Sequence, residues 1–273
     1  MPTQTLDLDS HYALTDEQIA RFRRDGYIKL KHVLSPEVLA HYETEISHMV
    51  EKLRQEHRAM EQRDIYSKAF LQISNIWTQN EAVKEFVMSK RLGRIATELM
   101  GTNGVRMYHD QALYKEPSGG YTPWHVDQFY WPLSNENTVT AWIPLVPVPM
   151  ECGPLEFSIG SQKIKFGRDF AISEESEKRI DQHLKVSDFP VDSSPYDLGE
   201  VSFHYGFTFH RAGPNTSKKM RKIMTIIYMD KDMKLQKPLN PNQQNDWDNW
   251  MPGAQIGQTI DSPLNPVIYQ EDH

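Results

Sequence analysis

In the tetrapeptide Trp124-His125-Val126-Asp127, a histidine and an aspartate stand two positions apart. In an extended strand, side chains at that spacing point to the same face. An imidazole nitrogen and a carboxylate oxygen are then offered to one point in space. They are two-thirds of a facial triad, the two-histidine, one-carboxylate set that leaves positions open on a non-haem iron. Alone the pair is a weak signal, because a chain with 11 histidines makes such pairs on surface strands by chance.

The second half of the chain supplies what the pair lacks. Gly199-Glu200-Val201-Ser202-Phe203-His204 leads through a short turn to Thr208-Phe209-His210-Arg211-Ala212-Gly213-Pro214-Asn215, and Arg221 then opens an apolar run. His210 and His204 are both candidates for the third donor. Arg221 offers a planar guanidinium that never loses its charge, the natural clamp for a carboxylate in an apolar barrel. His109 and His11 have no partner pattern and read as ordinary surface or core residues.

The bulk properties bound the rest. A chain of 273 residues is long enough for one large domain with a sizeable core. A net charge of −7 argues against a surface that tracks phosphates, so no nucleic-acid partner is expected. Cys152 is the only cysteine, which excludes an intrachain disulfide and a multi-cysteine zinc site and leaves histidines and carboxylates to bind any metal. The start, MPTQTLDLDSHYALTDEQ, lacks the basic and apolar stretches of a signal peptide, and no run of about 18 apolar residues occurs. A cytoplasmic protein without membrane partners is expected.

The elements that must position these residues change character near residue 101. Before it the chain reads as helical. Thr15 and Gln18 form a capping-box pattern ahead of a helix that stops at Gly26; Ser35-Pro36 opens a second, apolar at Val38, Leu39, Tyr42, Ile46, Met49, Val50 and Leu53; Ser89 to Met100 is a third, closed by Gly101. Tyr27 to Leu30 is a short strand. From Val105 onward, β-prone runs separated by Gly, Pro, Asn and Ser appear at Tyr108–Tyr114, Thr138–Ile143, Leu155–Phe157, Val201–His204 and Ile223–Met229. This is the texture of a jelly roll. Residues 167–196 read as a polar insertion between strands. Residues 232–273 read as an irregular tail packed over the barrel, with Trp247, Trp250 and Ile256 shielded from solvent. The expected organisation is one domain: a helical N-terminal layer over about 1–101, a jelly-roll core over about 102–231, and the tail. A separate helical domain ending near Gly101 is the lesser option.

The ordered set WHVD, then GEVSFHYGFTFHRAGPN, then an arginine eleven positions past the histidine, resembles the phytanoyl-CoA dioxygenase family. The resemblance begins at LTDEQIARFRRDGYIKLKHVLSPEVL and takes in TAWIPL, GPLEFSIGSQK and the strand Arg221–Tyr228. It implies a mainly β fold, a double-stranded β-helix with added helices, working with ferrous iron, 2-oxoglutarate and dioxygen. Position by position, it implies that His125, Asp127 and His210 are the iron ligands and that Arg221 holds the far carboxylate of 2-oxoglutarate. Gln111, in DQALYK, falls where the family lines the cosubstrate pocket, and Trp142, in TAWIPL, where it has an aromatic wall. Spacing to Arg221 favours His210 over His204, which would leave a gap of seventeen. His204 is then a supporting or packing residue. One departure stands out: several relatives have a serine two residues after the distal histidine, and this chain has Ala212.

The activity so implied is hydroxylation of a small-molecule metabolite, with succinate and carbon dioxide as coproducts. Asp127 favours hydroxylation, since relatives that install chloride keep a small residue there. A non-catalytic metal- or ligand-binding jelly roll is the alternative, weakened by the complete triad and Arg221. A metallohydrolase lacks a fourth ligand or general base near WHVD. Gln128-Phe129-Tyr130-Trp131, Tyr121 and the Trp247–Trp250 segment are candidate walls of a substrate pocket.

Overall fold

The computed structural model describes residues 6–63 and 65–271; the first five residues of the N-terminal reading and the last two of the tail lie outside it. Helix α1 (Asp16–Asp25) starts at Thr15 with the expected capping box, Thr15 and Gln18 each holding the other's backbone N–H, and ends at Gly26 with φ of 84°. Strand β1 (Tyr27–Leu30) follows, then α2 (Pro36–Leu53), capped by Ser35, α3 (Ile65–Ala69), β2 (Leu71–Ser74), α4 (Glu81–Val87) and α5 (Lys90–Met100), which ends on Gly101. The later elements are β3 (Gly104–Lys115), β4 (Thr122–His125), β5 (Thr138–Pro144), β6 (Leu155–Ser158), α6 (Glu174–Val186), β7 (Val191–Asp192), β8 (Val201–Tyr205), β9 (His210–Ala212), β10 (Arg221–Asp230), α7 (Pro241–Trp250) and β11 (Val267–Gln270).

The strands form two antiparallel sheets. The larger runs β1-β8-β5-β10-β3-β11, with β2 also on β3, and the smaller runs β4-β9-β6-β7. Alternation along the large sheet decides what faces what. Val139, Ala141 and Ile143 of β5, Val201 and Phe203 of β8, and Met224, Ile226 and Tyr228 of β10 bury against α2, α4 and α5 in one apolar cluster. The opposite face carries Thr140, Trp142, His204, Arg221, Thr225 and Ile227, all of which line a cavity between the sheets. Trp142 and Ile223 of the large sheet also pack there against Leu155, Phe157 and Ala212 of the small one. This is the expected jelly roll.

Two stretches differ from expectation. The insertion is not featureless: α6, with a capping box at Ser173, lays Ile180 and Leu184 on Trp124, Val126 and Phe209, covering the outer face of the small sheet. Only two strong apolar residues mark that face, so charge masked the helical period. The tail is not irregular throughout. Asn240-Pro241 caps α7, and β11 pairs with β3 from Arg106 to Gly104. Met233, Leu235, Met251 and Ile260 of the tail bury with Tyr108 and Trp131, whereas Ile256, expected to be shielded, is half exposed at 50%. No helix of the described residues is long and apolar enough to cross a membrane.

Candidate metal centre

Strand β4 ends at His125, and β9 begins at His210; the two are register partners across the small sheet, with ring centroids 4.1 Å apart. The chain turns directly after β4, so that Asp127, at the head of a 3-10 turn, swings its carboxylate between them. Its Oδ1 lies 3.6 Å from His125 Nε2 and 3.5 Å from His210 Nε2. One donor atom from each of the three residues falls within 4.8 Å of the others. Backbone carbonyls orient both rings: His125 Nδ1 donates to Pro123 O at 2.7 Å, and His210 Nδ1 to Thr208 O at 2.9 Å. With the proton on Nδ1, each neutral imidazole presents the Nε2 lone pair to the centre.

The other carboxylate oxygen is held separately. Asp127 Oδ2 accepts from Thr140 Oγ1 at 3.1 Å and from His204 Nε2 at 3.3 Å. A carboxylate only accepts, so the His204 Nε2 must carry its proton, and that nitrogen has no lone pair to give. His204 therefore steadies Asp127. Burial by itself pushes the Asp127 carboxyl up, but the neighbouring His210, then His125 and His204, hold it well below the usual range. Burial, and then the neighbouring His210, push His125 down. The donor set is two imidazole nitrogens, left free by the Nδ1 bonds to backbone carbonyls, and one carboxylate, with no thiolate.

These residues open on a cavity of about 340 Å³ between the sheets. Arg221, only 2% exposed, lines it from the start of β10. Its Nη1 donates to Gly153 O, its Nε has no hydrogen-bond partner, and no carboxylate pairs with it among the described residues. Burial pushes the guanidinium down to about 10, still charged at neutral pH. Trp142 flanks it, with the ring 5.6 Å from Arg221 Cζ and braced by Tyr196 at 4.6 Å. Gln111 lies two strands from Trp142 through Thr225, and its Oε1 accepts from Gln72 Nε2 at 2.9 Å. Ala212, the departure noted above, is buried and lines the same cavity.

Lys115, the register partner of Arg221, is also fully buried, but its Nζ is spent on Gly120 O and Gly213 O, each at 2.7 Å. Among the expected walls, Tyr130, Trp131 and Trp250 line the cavity. Gln128 instead donates to Asn135 O and accepts from Thr138 Oγ1, Phe129 packs under α6, and Tyr121 is 36% exposed. His109, read as unremarkable, lines the cavity two positions before Gln111 on the same face of β3. Strand parity with Gln111 was the signal for it. Asn245 and Asp246 of α7 were also missed, because nothing in the sequence says which face of a polar helix turns inward.

The chain is similar to several known proteins. A probable alpha-ketoglutarate-dependent hypophosphite dioxygenase of Stutzerimonas stutzeri is 23% identical over 228 residues, 79% of each chain. A 1-deoxypentalenic acid 11-beta-hydroxylase of Streptomyces exfoliatus is 29% identical over 154 residues, 54% of this chain and 52% of the relative. In fold, the chain is similar to the epimerase SnoN, solved in complex with Fe3+, alpha ketoglutarate and nogalamycin RO; the TM-score is 0.77 at 22% identity, covering 93% of this chain and 98% of SnoN. The family model for phytanoyl-CoA dioxygenase (PhyH) matches residues 22–223, a span that contains His125, Asp127, His210 and Arg221. The chain belongs to the phytanoyl-CoA dioxygenase family.

Proposed function

We propose that the protein is an iron(II)- and 2-oxoglutarate-dependent dioxygenase that hydroxylates a small-molecule metabolite. One observation carries this reading. A single cavity holds a carboxylate, Asp127, that has no lysine or arginine partner, and a buried guanidinium, Arg221, that has no carboxylate partner, among the described residues. Buried charges are costly unless compensated, so the site asks for a cation at one point and an anion at another. Ferrous iron on His125 Nε2, His210 Nε2 and Asp127 Oδ1, with 2-oxoglutarate reaching Arg221, answers both demands. Three ligands of this type suit non-haem iron and leave positions free.

When bound, iron and 2-oxoglutarate use dioxygen to supply the oxidant: substrate C–H, 2-oxoglutarate and O2 become substrate C–OH, succinate and CO2. The protein's own part is placement. Pro123 O and Thr208 O fix the two imidazoles, while Thr140 and His204 fix the carboxylate. Arg221 gives the cosubstrate's C5 carboxylate a charged anchor, with Trp142 and Gln111 as walls of that subsite. Tyr130, Trp131 and Trp250 exclude water from the reacting side. The carboxylate of Asp127 occupies the place a halide would need, which supports hydroxylation. We read the helical layer, barrel and tail as one domain, supported by the apolar cluster that joins α2, α4 and α5 to β3, β5, β8 and β10.

The test is succinate formation with iron(II), ascorbate and dioxygen against a metabolite panel, with the product made under 18O2. One 18O atom in the product identifies hydroxylation. Succinate with an unlabelled, rearranged product means a different oxidative outcome at the same centre. No succinate under any condition returns the chain to the non-catalytic jelly-roll alternative.

A further inference from the structure

The cavity has two ends. Arg221 and Ile227 are six residues apart on β10, about 20 Å along an extended strand. Ile227 is the register partner of Thr140 on one side, which touches Asp127, and of His109 on the other. The candidate metal residues thus sit toward the Ile227 end of this row, and Arg221 reaches in from the other. At the end remote from Arg221, α7 closes the cavity with Asn245, Asp246 and Trp250, beside Tyr130 and Trp131. A second, more open cavity shares Phe70, Gln72, Ser74 and Trp250 with the first, so the opening runs along β2, beside Leu113 and Gln111 of β3, with Trp250 of α7 at its edge.

Asp246 is the unexplained group there. It is 9% exposed, and its Oδ2 accepts from Tyr108 Oη at 2.8 Å. No lysine, arginine or histidine pairs with it among the described residues. Burial pushes its carboxyl up to about 7, against the pull of donors on Tyr108 and Trp250. His109 cannot neutralise it, since burial pushes that imidazole down to about 4. Iron(II) and 2-oxoglutarate carry opposite double charges, and Arg221 offsets Asp127. Asp246 is left as the carboxyl of the loaded site with no cationic partner, and a cation beside it would hold it ionised. Its surroundings are three aromatic rings, whose faces attract cations.

We infer that this end of the cavity recognises a protonated basic nitrogen on the substrate, with Asp246 as its counter-ion and Tyr130, Trp131 and Trp250 as its aromatic wall. The inference rests on the reading of the cavity as an iron and 2-oxoglutarate site. The substrate class is an amine-bearing metabolite, presented so that a carbon beside the metal is oxidised. Anionic substrates are disfavoured, because a second negative charge would lie against Asp246 with no cation between.

Three probes of one shape test this: benzylammonium, benzyl alcohol and benzoate, titrated by calorimetry into the anaerobic iron and 2-oxoglutarate complex. Benzylammonium is expected to bind at least about tenfold more tightly than either of the others. Asp246→Asn should abolish that preference while leaving 2-oxoglutarate affinity within about threefold of wild type. Equal binding of the three probes, no binding of benzylammonium, or a preference that survives Asp246→Asn overturns the inference. The ranking on the wild-type protein decides even where the variant folds poorly. A wild-type protein that takes up neither iron nor 2-oxoglutarate refutes the functional reading instead, and the same ranking on the metal-free protein still reads the cation site.

Discussion

His204 Nε2 lies 3.3 Å from Asp127 Oδ2, while His125 and His210 approach the other oxygen, Oδ1. The three histidines around one carboxylate therefore divide into two that offer a lone pair and one that donates a proton. His125→Ala, Asp127→Ala and His210→Ala should each abolish iron binding. His204→Ala should still load at saturating iron, with affinity lowered about 10- to 100-fold, because a ligand's orienting partner is removed and no ligand is. Iron stoichiometry and titration of the purified variants decide it. A metal-free His204→Ala beside a fully loaded His210→Ala reverses the assignment.

Arg221 carries the second prediction. A charge-assisted contact to the C5 carboxylate in this buried setting is worth about 2 kcal/mol or more, roughly thirtyfold in affinity. Arg221→Lys should be nearly as damaging as Arg221→Ala, since an ammonium cannot reproduce the planar fork. Iron loading should be unaffected. The readout is a 2-oxoglutarate titration of the anaerobic iron complex by its visible charge-transfer band. Wild-type affinity in Arg221→Lys removes Arg221 from the site, and Lys115 becomes the next cation to test.

Gly153 connects the backbone to that arginine. Its φ is +68°, and a Cβ there would stand 2.2 Å from Gly213 O, while its own carbonyl accepts from Arg221. Gly153→Ala must move a backbone, because no flexible side chain is present to yield. We expect a loss of about 1–3 kcal/mol in stability and weaker 2-oxoglutarate binding at unchanged iron stoichiometry. Thermal melting and the same titration measure both. Unchanged melting and cosubstrate affinity would show that the two loops are free to separate.

Asp110 gives a pH signature. Fully buried on β3, it accepts from the N–H groups of Ile76 and Trp77, yet burial outweighs those donors and pushes its carboxyl up to about 7. In the unfolded chain it ionises near about 4, so between the two values the folded state binds the extra proton. Its contribution to stability falls as pH rises through that window and stays low above it. The melting temperature of Asp110→Asn, relative to wild type, should therefore rise by a few degrees between about pH 5 and about pH 8. A constant difference across that range contradicts the shift.

Much of this was legible in the sequence because it depends on local rules. Thr15 with Gln18, Ser35-Pro36 and Gly101 mark helix ends by backbone chemistry alone. His125, Asp127 and His210 were legible as a pattern, although Asp127 reaches the other two from a 3-10 turn after β4 and not from the extended strand that the spacing implied. His109 and Asp246 were not. Each owes its place in the cavity to long-range packing: His109 to Trp250, whose ring lies 5.2 Å away, and Asp246 to Tyr108, 138 positions earlier in the chain. Helix α6 escaped for a related reason, since its two buried apolar residues, Ile180 and Leu184, gain meaning only beside Trp124 and Phe209.

The family match stops at residue 223, and helix α7 begins at Pro241. The residues proposed to hold metal and cosubstrate thus lie on or beside paired strands, while Asn245, Asp246 and Trp250 of the cavity wall arrive from a later stretch. Only part of that wall is therefore on a separate piece of polypeptide, since Tyr130 and Trp131 follow Asp127 directly. Exchanging residues 232–271 for the corresponding stretch of a relative is expected to change what the cavity accepts, because Asn245, Asp246 and Trp250 would be replaced while His125, Asp127 and His210 stay.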